Sequence, residues 1–309
     1  LMNNARIAVG FEALGLCEAA LRMAKAYAAE RPSMGKTIDQ HEMIAEMIDE
    51  METDILGMRA LAVKAAHNEE LARRAALAHK AMPADHPSSA AFRSEEKSRT
   101  MSSRQATPLL KYITSEKSVE MARRNLQIHG GSGYMREYGA EKLLRDSLVL
   151  PIYEGTSQIQ CLMAMKDNLL PIFKKPVAFL LTTLSCLAMA WFGLGRSRRI
   201  ATVRSRGQRA MLNLIRRIAW AKLKSSGNLS NWDPKTDFAP GMLHAERLAK
   251  ILVDVQIIDA LAEQAVQHPE RGEILDRYLE RALPRSRAML YEIQTTGDRI
   301  LNNLQTATA

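Results

Sequence analysis

Apolar residues recur at helical spacing along most of this chain. Residues 5–30 carry one such run, which stops before Pro32 because proline disfavours helical geometry at the residue that precedes it. Thr37 and Gln40 then have the spacing of a capping box, whose side chains satisfy backbone groups at a helix start. The clearest amphipathic stripe follows, at Ile44, Met47, Ile48, Met51, Ile55, Met58 and Leu61. The pattern predicts a helix over residues 5–30 and a second helix that begins near Thr37.

Two further long helices are predicted downstream. Residues 67–98 contain two prolines, several charges and a serine pair, so we expect two short helical pieces around a loop. The third long helix should start near Pro108, since proline is favoured at the first helical position, and should stop at Gly130–Gly131. Ser157–Gln160 has the form of another capping box and predicts a fourth helix that continues towards Leu170.

These elements predict an all-α fold. Residues 1–170 should form an antiparallel four-helix bundle, and residues 171–309 a helical extension. Pro176–Gly195 is uncharged and mostly apolar, which fits either a buried helix or a helix in contact with a membrane. At about 20 residues it just reaches the length that spans a bilayer. Residues 196–224 form a basic amphipathic stretch, as an interfacial membrane anchor requires.

The remainder of the extension is predicted to be helical after a linker. Residues 228–241 read as that linker, and residues 248–262 carry another apolar stripe at helical spacing. Residues 270–304 predict a final helix or helix pair, which Pro284 should kink or divide.

The net charge of +9 lies in one block of the chain. Residues 1–170 hold 22 basic and 22 acidic side chains, residues 171–230 hold 12 basic and no acidic ones, and residues 231–309 hold 9 basic and 12 acidic ones. A membrane surface or a nucleic acid would attract such a block. The sequence has no zinc finger, RNP-type motif or other nucleic-acid module, so we favour the membrane and expect no nucleic acid.

Cysteine usage argues against a disulfide framework and a metal centre. Cys17, Cys161 and Cys186 are widely spaced and have no partner in a metal-ligand pattern, so they read as small buried hydrophobic residues. We expect a reducing compartment, such as a bacterial cytoplasm, with peripheral contact on the inner membrane.

The segment with the most chemical content is the short loop before the fourth helix. Glu154 is a carboxylate in a glycine-containing loop, and Gly155 has no side chain to block an approaching ligand. From the residues alone, Glu154 is either a catalytic base or a solvated carboxylate near a helix N-terminus, where the helix dipole favours negative charge.

Five segments of residues 3–170 resemble, in the same order, the C-terminal helical domain of the acyl-CoA dehydrogenase family. They are residues 4–10 (Asn-Ala-Arg-Ile-Ala-Val-Gly), 30–36 (Glu-Arg-Pro-Ser-Met-Gly-Lys), 127–134 (Gln-Ile-His-Gly-Gly-Ser-Gly-Tyr), 144–146 (Leu-Arg-Asp) and 153–156 (Tyr-Glu-Gly-Thr). Family members carry a helical domain and a β domain ahead of this one. We therefore expect this chain to be a fragment with an added C-terminal extension.

The resemblance implies FAD-dependent oxidation of an acyl-CoA thioester to the 2,3-enoyl-CoA. Glu154 would remove the α-proton and FAD would accept the β-hydride, because no side chain can accept a hydride. The backbone N–H of Glu154 would help to hold the thioester oxygen. Some family members carry the catalytic base on the helix at the start of this domain. The corresponding position here is near Ala5, whose side chain cannot act as a base.

The resemblance also assigns cofactor and substrate contacts. Those implied for FAD are Arg31, on the pyrophosphate of a neighbouring subunit, and Gln127, Gly131, Thr156 and Gln158. Those implied for acyl-CoA are Arg6, Tyr153 and Gly155. Two departures bear on the geometry, since Met34 stands where many members have phenylalanine and Asn3 replaces an acidic residue of some members.

The implied partners are an acyl-CoA, an acceptor of the electron-transferring flavoprotein type and further copies of the chain in a homodimer or homotetramer. Membrane contact through residues 176–224 is a further expectation. Two alternatives belong to other functional classes: a non-catalytic helical interaction protein, and a nucleic-acid-associated relative that uses the basic residues 196–224.

Overall fold

The computed structural model describes residues 2–83, 86–226 and 237–308, and it confirms the all-α class. The helices and strands are α1 (Met2–Glu30), β1 (Pro32–Ser33), β2 (Lys36–Thr37), α2 (Glu42–Ala81), α3 (Ser89–His129), α4 (Gly131–Tyr134), α5 (Ala140–Ser147), α6 (Ser157–Lys174), α7 (Pro176–Phe192), α8 (Gly195–Ser226), α9 (Ala239–Leu243), α10 (Ala245–Gln267), α11 (Gly272–Thr295) and α12 (Asp298–Thr308). Single 3-10 turns lie at Ile38–Gln40, Arg136–Tyr138 and Pro269–Arg271.

The chain divides into two compact units. Unit 1 comprises Leu1–Gln160 with Glu263–Ile274, and unit 2 comprises Cys161–Ala262 with Leu275–Ala309. The domain boundary predicted at residue 170 stays a prediction.

Unit 1 is built on α1, α2 and α3, which pack against one another. Contacts between α2 and α3 run in opposite directions along the chain, so these two helices are antiparallel. Lys117 pairs with Asp54 at 2.8 Å, and further back along α3 Arg99 donates to Asn68 at 3.1 Å. The core between the helices consists of small and medium apolar side chains, among them Ala13, Cys17, Met58, Leu61, Leu109, Leu110 and Met121.

The predicted start of the third long helix was wrong. Instead of two short pieces over residues 67–98, α2 continues to Ala81 and α3 begins at Ser89, so Pro108 lies inside a 41-residue helix. Proline there removes one backbone hydrogen bond. The residues before Pro108 remain helical because they pair with α2, as when Ser103 donates to Glu69, and tertiary packing supplies most helix stability in proteins.

Both predicted capping boxes need correction. Thr37 precedes a 3-10 turn, makes no capping bond and donates instead to Asp39 at 2.5 Å, while α2 begins only at Glu42. α6 does begin at Ser157, but its cap is the preceding residue. The Thr156 hydroxyl accepts a hydrogen bond from the backbone N–H of Ile159 at 3.4 Å.

A β-hairpin with strands of two residues each, which the sequence pattern did not predict, follows α1. β1 and β2 pair antiparallel, and Met34 and Gly35 between them have φ of 48° and 84°. Two successive positive φ values are typical of the tight turns whose twist suits a hairpin. The N–H of Ile38 donates to the carbonyl of Arg31 at 2.9 Å, which ties the end of α1 to the base of the hairpin.

Unit 2 is organised around α8. Its small residue Gly207 faces α10, where an added Cβ would lie 3.3 Å from Val255. The arginines of α8 bind within this unit: Arg204 pairs with Asp259 at 2.7 Å, and Arg196 pairs with Asp276 at 2.6 Å. A second polar anchor lies on α10, where the buried Asp254 accepts hydrogen bonds from Tyr278 and Arg285.

Two predictions for the extension concern its last third. The predicted linker at residues 228–241 falls largely outside the described residues, and α9 already begins at Ala239. Pro284 was predicted to kink or divide the last helix, and it does not divide it, because α11 runs through Pro284 and ends at Thr295. The break falls instead at Gly297, whose φ of 104° suits glycine.

Among the described helices, none is by itself both long and apolar enough to cross a membrane. α6 and α7 meet the length and composition requirement only as a pair, and that pair is bent by 107°.

Candidate functional site

The Glu154 loop, residues 151–156, is a tight turn between α5 and α6. The N–H of Ser157 donates to the carbonyl of Pro151 at 3.0 Å and closes the turn. Glu154 has a φ of 55° and Gly155 a φ of 94°. A non-glycine residue at positive φ is strained, and such strain of about 1–3 kcal/mol persists only where the surroundings hold it.

Side chains of α3 and α6 hold this strained turn. The Gln160 side-chain amide donates to the carbonyl of Glu154 at 3.0 Å and to that of Gly155 at 3.2 Å. The Lys111 ammonium donates to the same Gly155 carbonyl at 2.8 Å. A Cβ on Gly155 would lie 2.7 Å from the Gln160 amide nitrogen and would displace that amide, and the φ of Gly155 itself favours glycine.

The side chain of Glu154 projects from this turn into solvent. It is exposed, and within the part of the chain that the structure describes its carboxylate makes no hydrogen bond or ion pair. Its backbone N–H likewise has no hydrogen-bond partner among the described residues. The turn therefore presents one acceptor carboxylate and one N–H donor, both available to a ligand.

Tyr153 forms one wall beside this carboxylate. Its ring packs on the buried cluster of Val9, Ala13 and Leu150, and its hydroxyl donates to Glu12. Burial raises the pKa of the Tyr153 hydroxyl to about 12, and the hydrogen bond to Glu12 acts in the same direction. The phenol therefore stays protonated at neutral pH.

Two buried cations, Lys111 and Arg6, and the exposed carboxylate of Glu116 lie near this turn. Lys111 is fully buried, and its pKa is lowered, first by burial and then by the nearby Arg6 cation, while the charges of Glu116 and Glu154 oppose the shift. Glu116 accepts a hydrogen bond from Ser157. Arg6 is 5% exposed, and its Nε has no hydrogen-bond partner among the described residues. Arg6, predicted for the acyl-CoA channel, thus lies within electrostatic range of Lys111, which donates to the Glu154 loop.

The other group of predicted residues lies at the far end of α1. Arg31 is exposed immediately after α1, Gln127 is exposed on the last turn of α3, and Gly131 begins α4. The ends of α1 and α3 meet where the Tyr27 and His129 rings stack at a centroid distance of 4.2 Å.

The surface at this end is open on the side of the predicted cofactor residues. An added Cβ on Gly131 would meet nothing within 4 Å. Gln127 also lines a groove of about 650 Å³, together with Met43, Met47, Arg123, Arg124 and three glutamates of α2.

The structure therefore gathers the predicted residues into two groups. The first contains Glu154 with its neighbours Tyr153, Gly155, Thr156 and Gln158, and Arg6 behind them. The second contains Arg31, Gln127 and Gly131. Arg6 and Arg31 are 25 residues apart on or just after one helix, which corresponds to about 38 Å at 1.5 Å per residue. The two groups therefore lie at opposite ends of α1.

Sequence reasoning missed three residues that shape the first group. Lys111 holds the Gly155 carbonyl, Glu12 accepts from Tyr153, and Gln160 holds the turn rather than capping the helix. Lys111 did leave a signal, because it is a single charge inside the apolar run Leu109–Ile113. A lysine in such a run is rarely buried without a partner.

Comparison with known proteins identifies a family for the first half of the chain. Residues 1–169 match the family model for the C-terminal domain of acyl-CoA dehydrogenase. The chain is 34% identical to 3-methylmercaptopropionyl-CoA dehydrogenase of Ruegeria pomeroyi over 176 residues, which is 52% of this chain and 26% of that protein. It is 32% identical to an acyl-CoA dehydrogenase of Bacillus subtilis over 167 residues, which is 53% of this chain and 36% of that protein.

Solved structures show that the fold of the whole chain recurs. An FAD-complexed acyl-CoA dehydrogenase from Bacillus anthracis superposes with a TM-score of 0.70 and 17% identity, covering 99% of this chain and 51% of that one. Acyl-CoA oxidase 3 from Yarrowia lipolytica gives 0.75 at 11% identity, with 99% and 46% coverage. The chain spans about half of these structures' length and less of the two sequence relatives. Because the family model matches more than half of it, the chain belongs to the acyl-CoA dehydrogenase family.

Proposed function

We propose that the protein containing this chain oxidises an acyl-CoA thioester to the 2,3-enoyl-CoA, with Glu154 as the base that removes the α-proton. One observation carries the proposal. Glu154 is an exposed carboxylate without a partner among the described residues, on a turn that its neighbours hold in a strained conformation. A solvated structural carboxylate would need no such support.

The residues of the loop can divide the work of proton removal. The Glu154 carboxylate accepts the α-proton, and the N–H of the same residue donates to the thioester oxygen, where negative charge grows as the proton leaves. Tyr153, protonated and tied to Glu12, forms an apolar wall with a fixed orientation. Gly155 lets the thioester approach the backbone.

The residues assigned to FAD fit that cofactor as part of a site. The open surface over Gly131 allows close approach to the backbone, and Arg31 offers an exposed, permanently charged fork suited to a pyrophosphate. Thr156 and Gln158 would contact it beside the base. When bound, FAD supplies the acceptor for the β-hydride. The separation of about 38 Å between Arg6 and Arg31 along α1 favours the two groups serving different cofactor molecules, as in a homodimer or homotetramer.

The proposed electron acceptor is a protein of the electron-transferring flavoprotein type. A relative that is 32% identical over 159 residues, from Acetobacterium woodii, is named as a subunit of a caffeyl-CoA reductase–Etf complex. Exposed apolar side chains on unit 1, such as Met34, Tyr134 and Ile152, are available for contact with further domains or copies.

The decisive experiment replaces Glu154 by glutamine in the complete flavoprotein. Glutamine keeps the size and polarity of the side chain but cannot act as a base. We expect an unchanged flavin spectrum and a loss of acyl-CoA-dependent flavin bleaching on the order of 10³-fold or more, since a positioned general base contributes about 10²–10⁴-fold. Bleaching at the wild-type rate would show that Glu154 is not the base.

A second proposal, peripheral membrane contact, is favoured by the exposed apolar face of α7. Eight large apolar side chains on or just after this helix are exposed: Val177, Leu180, Leu181, Leu184, Met189, Trp191, Phe192 and Leu194. The exposed cations Lys174 and Lys175 precede the helix, and the exposed Arg198 follows it. Apolar area flanked by cations suits the boundary between headgroups and acyl chains.

A further inference from the structure

Three hydrogen bonds converge on two successive carbonyls of the Glu154 loop. Gln160 donates to the carbonyls of Glu154 and Gly155, and Lys111 donates to that of Gly155. We propose that Lys111, acting with Gln160, is a positioning residue that fixes the Glu154 carboxylate at the angle proton removal requires. This inference rests on the proposed function of Glu154.

The backbone at Glu154 needs this support because of its conformation. A φ of 55° is unfavourable for a residue with a side chain, and a released turn would return to negative φ. The direction of the Cα–Cβ bond is fixed by the backbone, so that return would swing the carboxylate away from the substrate. A displacement of about 1 Å at a reacting group can lower a rate roughly 100-fold.

The chemistry of Lys111 fits a directional role better than a packing role. Its side chain is fully buried in α3, where an apolar residue would pack without the cost of removing a charge from water. Its ammonium lies 2.8 Å from the Gly155 carbonyl, and hydrogen bonds from a charged donor are stronger than neutral ones. The charges around it come from three elements: Arg6 on α1, Glu116 on its own helix α3, and Glu154 in the loop.

A second lysine of the same helix provides a matched control. Lys117 is also largely buried, but it pairs with Asp54 and Glu120, each at 2.8 Å, and no bond connects it to the Glu154 loop. Replacing Lys111 or Lys117 by methionine removes one buried cation from α3 in each case. Only the first change releases the loop.

The test compares Lys111→Met, Lys117→Met, Gln160→Met and Glu154→Gln in the complete flavoprotein, with rates expressed per bound flavin. For Lys111→Met we expect flavin bleaching roughly 10- to 100-fold slower, an unchanged KM and a larger isotope effect with α-deuterated acyl-CoA. Gln160→Met should share this signature, and the two losses should not be additive because both residues hold one turn. Lys117→Met should lower Tm and keep the wild-type rate.

Each outcome decides the inference. A Lys111→Met rate and isotope effect equal to those of Lys117→Met would overturn it. If Lys111→Met does not fold, Gln160→Met decides in the same way, since a wild-type rate there rejects the positioning role. If Glu154→Gln keeps the wild-type rate, the proposed function fails. If only Glu154→Gln loses activity, the base stands and the positioning role alone is rejected.

Discussion

Two glycines of the turn after α3 lie in opposite surroundings, and replacing each by alanine should separate folding from cofactor binding. A Cβ on Gly133 would lie 2.5 Å from the carbonyl oxygen of Leu126 and 2.8 Å from the His129 Cβ. A Cβ on Gly131 would meet nothing within 4 Å. Gly133 is thus required by packing, while Gly131 leaves room for a ligand.

The two substitutions should change the free energy of unfolding in opposite directions. The Gly133→Ala methyl would lie about 1 Å inside contact distance of a backbone carbonyl that cannot rotate away, so unfolding free energy should fall by about 2–3 kcal/mol. Gly131→Ala lies at the start of a helical turn without positive φ, so the same free energy should change by no more than about 0.5 kcal/mol, as a gain. FAD affinity of Gly131→Ala should fall about tenfold, which corresponds to roughly 1.4 kcal/mol.

Urea unfolding of the complete apoprotein measures the stabilities, and titration of flavin fluorescence measures FAD affinity. Wild-type FAD affinity in Gly131→Ala would remove that residue from the cofactor site. Wild-type stability in Gly133→Ala would mean that the last turn of α3 yields at little cost, and the packing argument would be wrong.

Two further predictions concern unit 2. Burial, with Arg217 and Arg247 nearby, lowers the pKa of His244 to about 4, below the ordinary value of 6.5. The unfolded chain therefore binds the proton first, and the stability contributed is complete above pH 6.5, falls by about 2 kcal/mol at pH 5 and is lost towards pH 4. Urea unfolding at pH 7 and pH 5 should show this loss in the wild type and not in His244→Gln; equal losses would contradict the assignment. For α7, Leu184→Asp with Phe192→Asp should weaken sedimentation with anionic vesicles at least roughly tenfold, since each large apolar side chain contributes about 1.5–3 kcal/mol on burial. Tyr291→Asp, an exposed site on α11, is the matched control, and equal binding by both variants would refute membrane contact through α7.

The sequence predicted helices well where apolar periodicity was the dominant signal, and failed where local chain signals competed with tertiary packing. α1, α7 and α8 were foreseen, because their patterns are continuous. Pro108 was read as a helix start, since proline is favoured there, yet the contacts of α3 with α2 outweigh one missing hydrogen bond. Pro284 likewise lies inside a continuous helix, α11. Pairing between residues such as Arg99 and Asn68, which are 31 positions apart, cannot be read from a local window.

The residues of the site show the same difference between local sequence signals and tertiary packing. Glu154, Tyr153 and Gly155 are adjacent in sequence, so one motif located them together. Lys111 and Glu12 approach the loop from α3 and α1, at separations of 44 and 141 residues from their partners. No spacing rule connects such positions, and only the packed helices bring them to the turn.

The basic block of the extension illustrates why composition alone cannot define a binding surface. Residues 171–230 carry 12 cations and no acid, a composition that predicts attraction to a membrane surface. In the structure Arg196 and Arg199 bind Asp276, Arg204 binds Asp259, and Arg206 donates to the carbonyl of Leu283 at 2.5 Å. Acidic side chains of residues 231–309 thus pair with basic side chains of α8 inside unit 2. A membrane contact would then depend chiefly on the apolar area of α7, so it should be less sensitive to salt than binding through arginines alone.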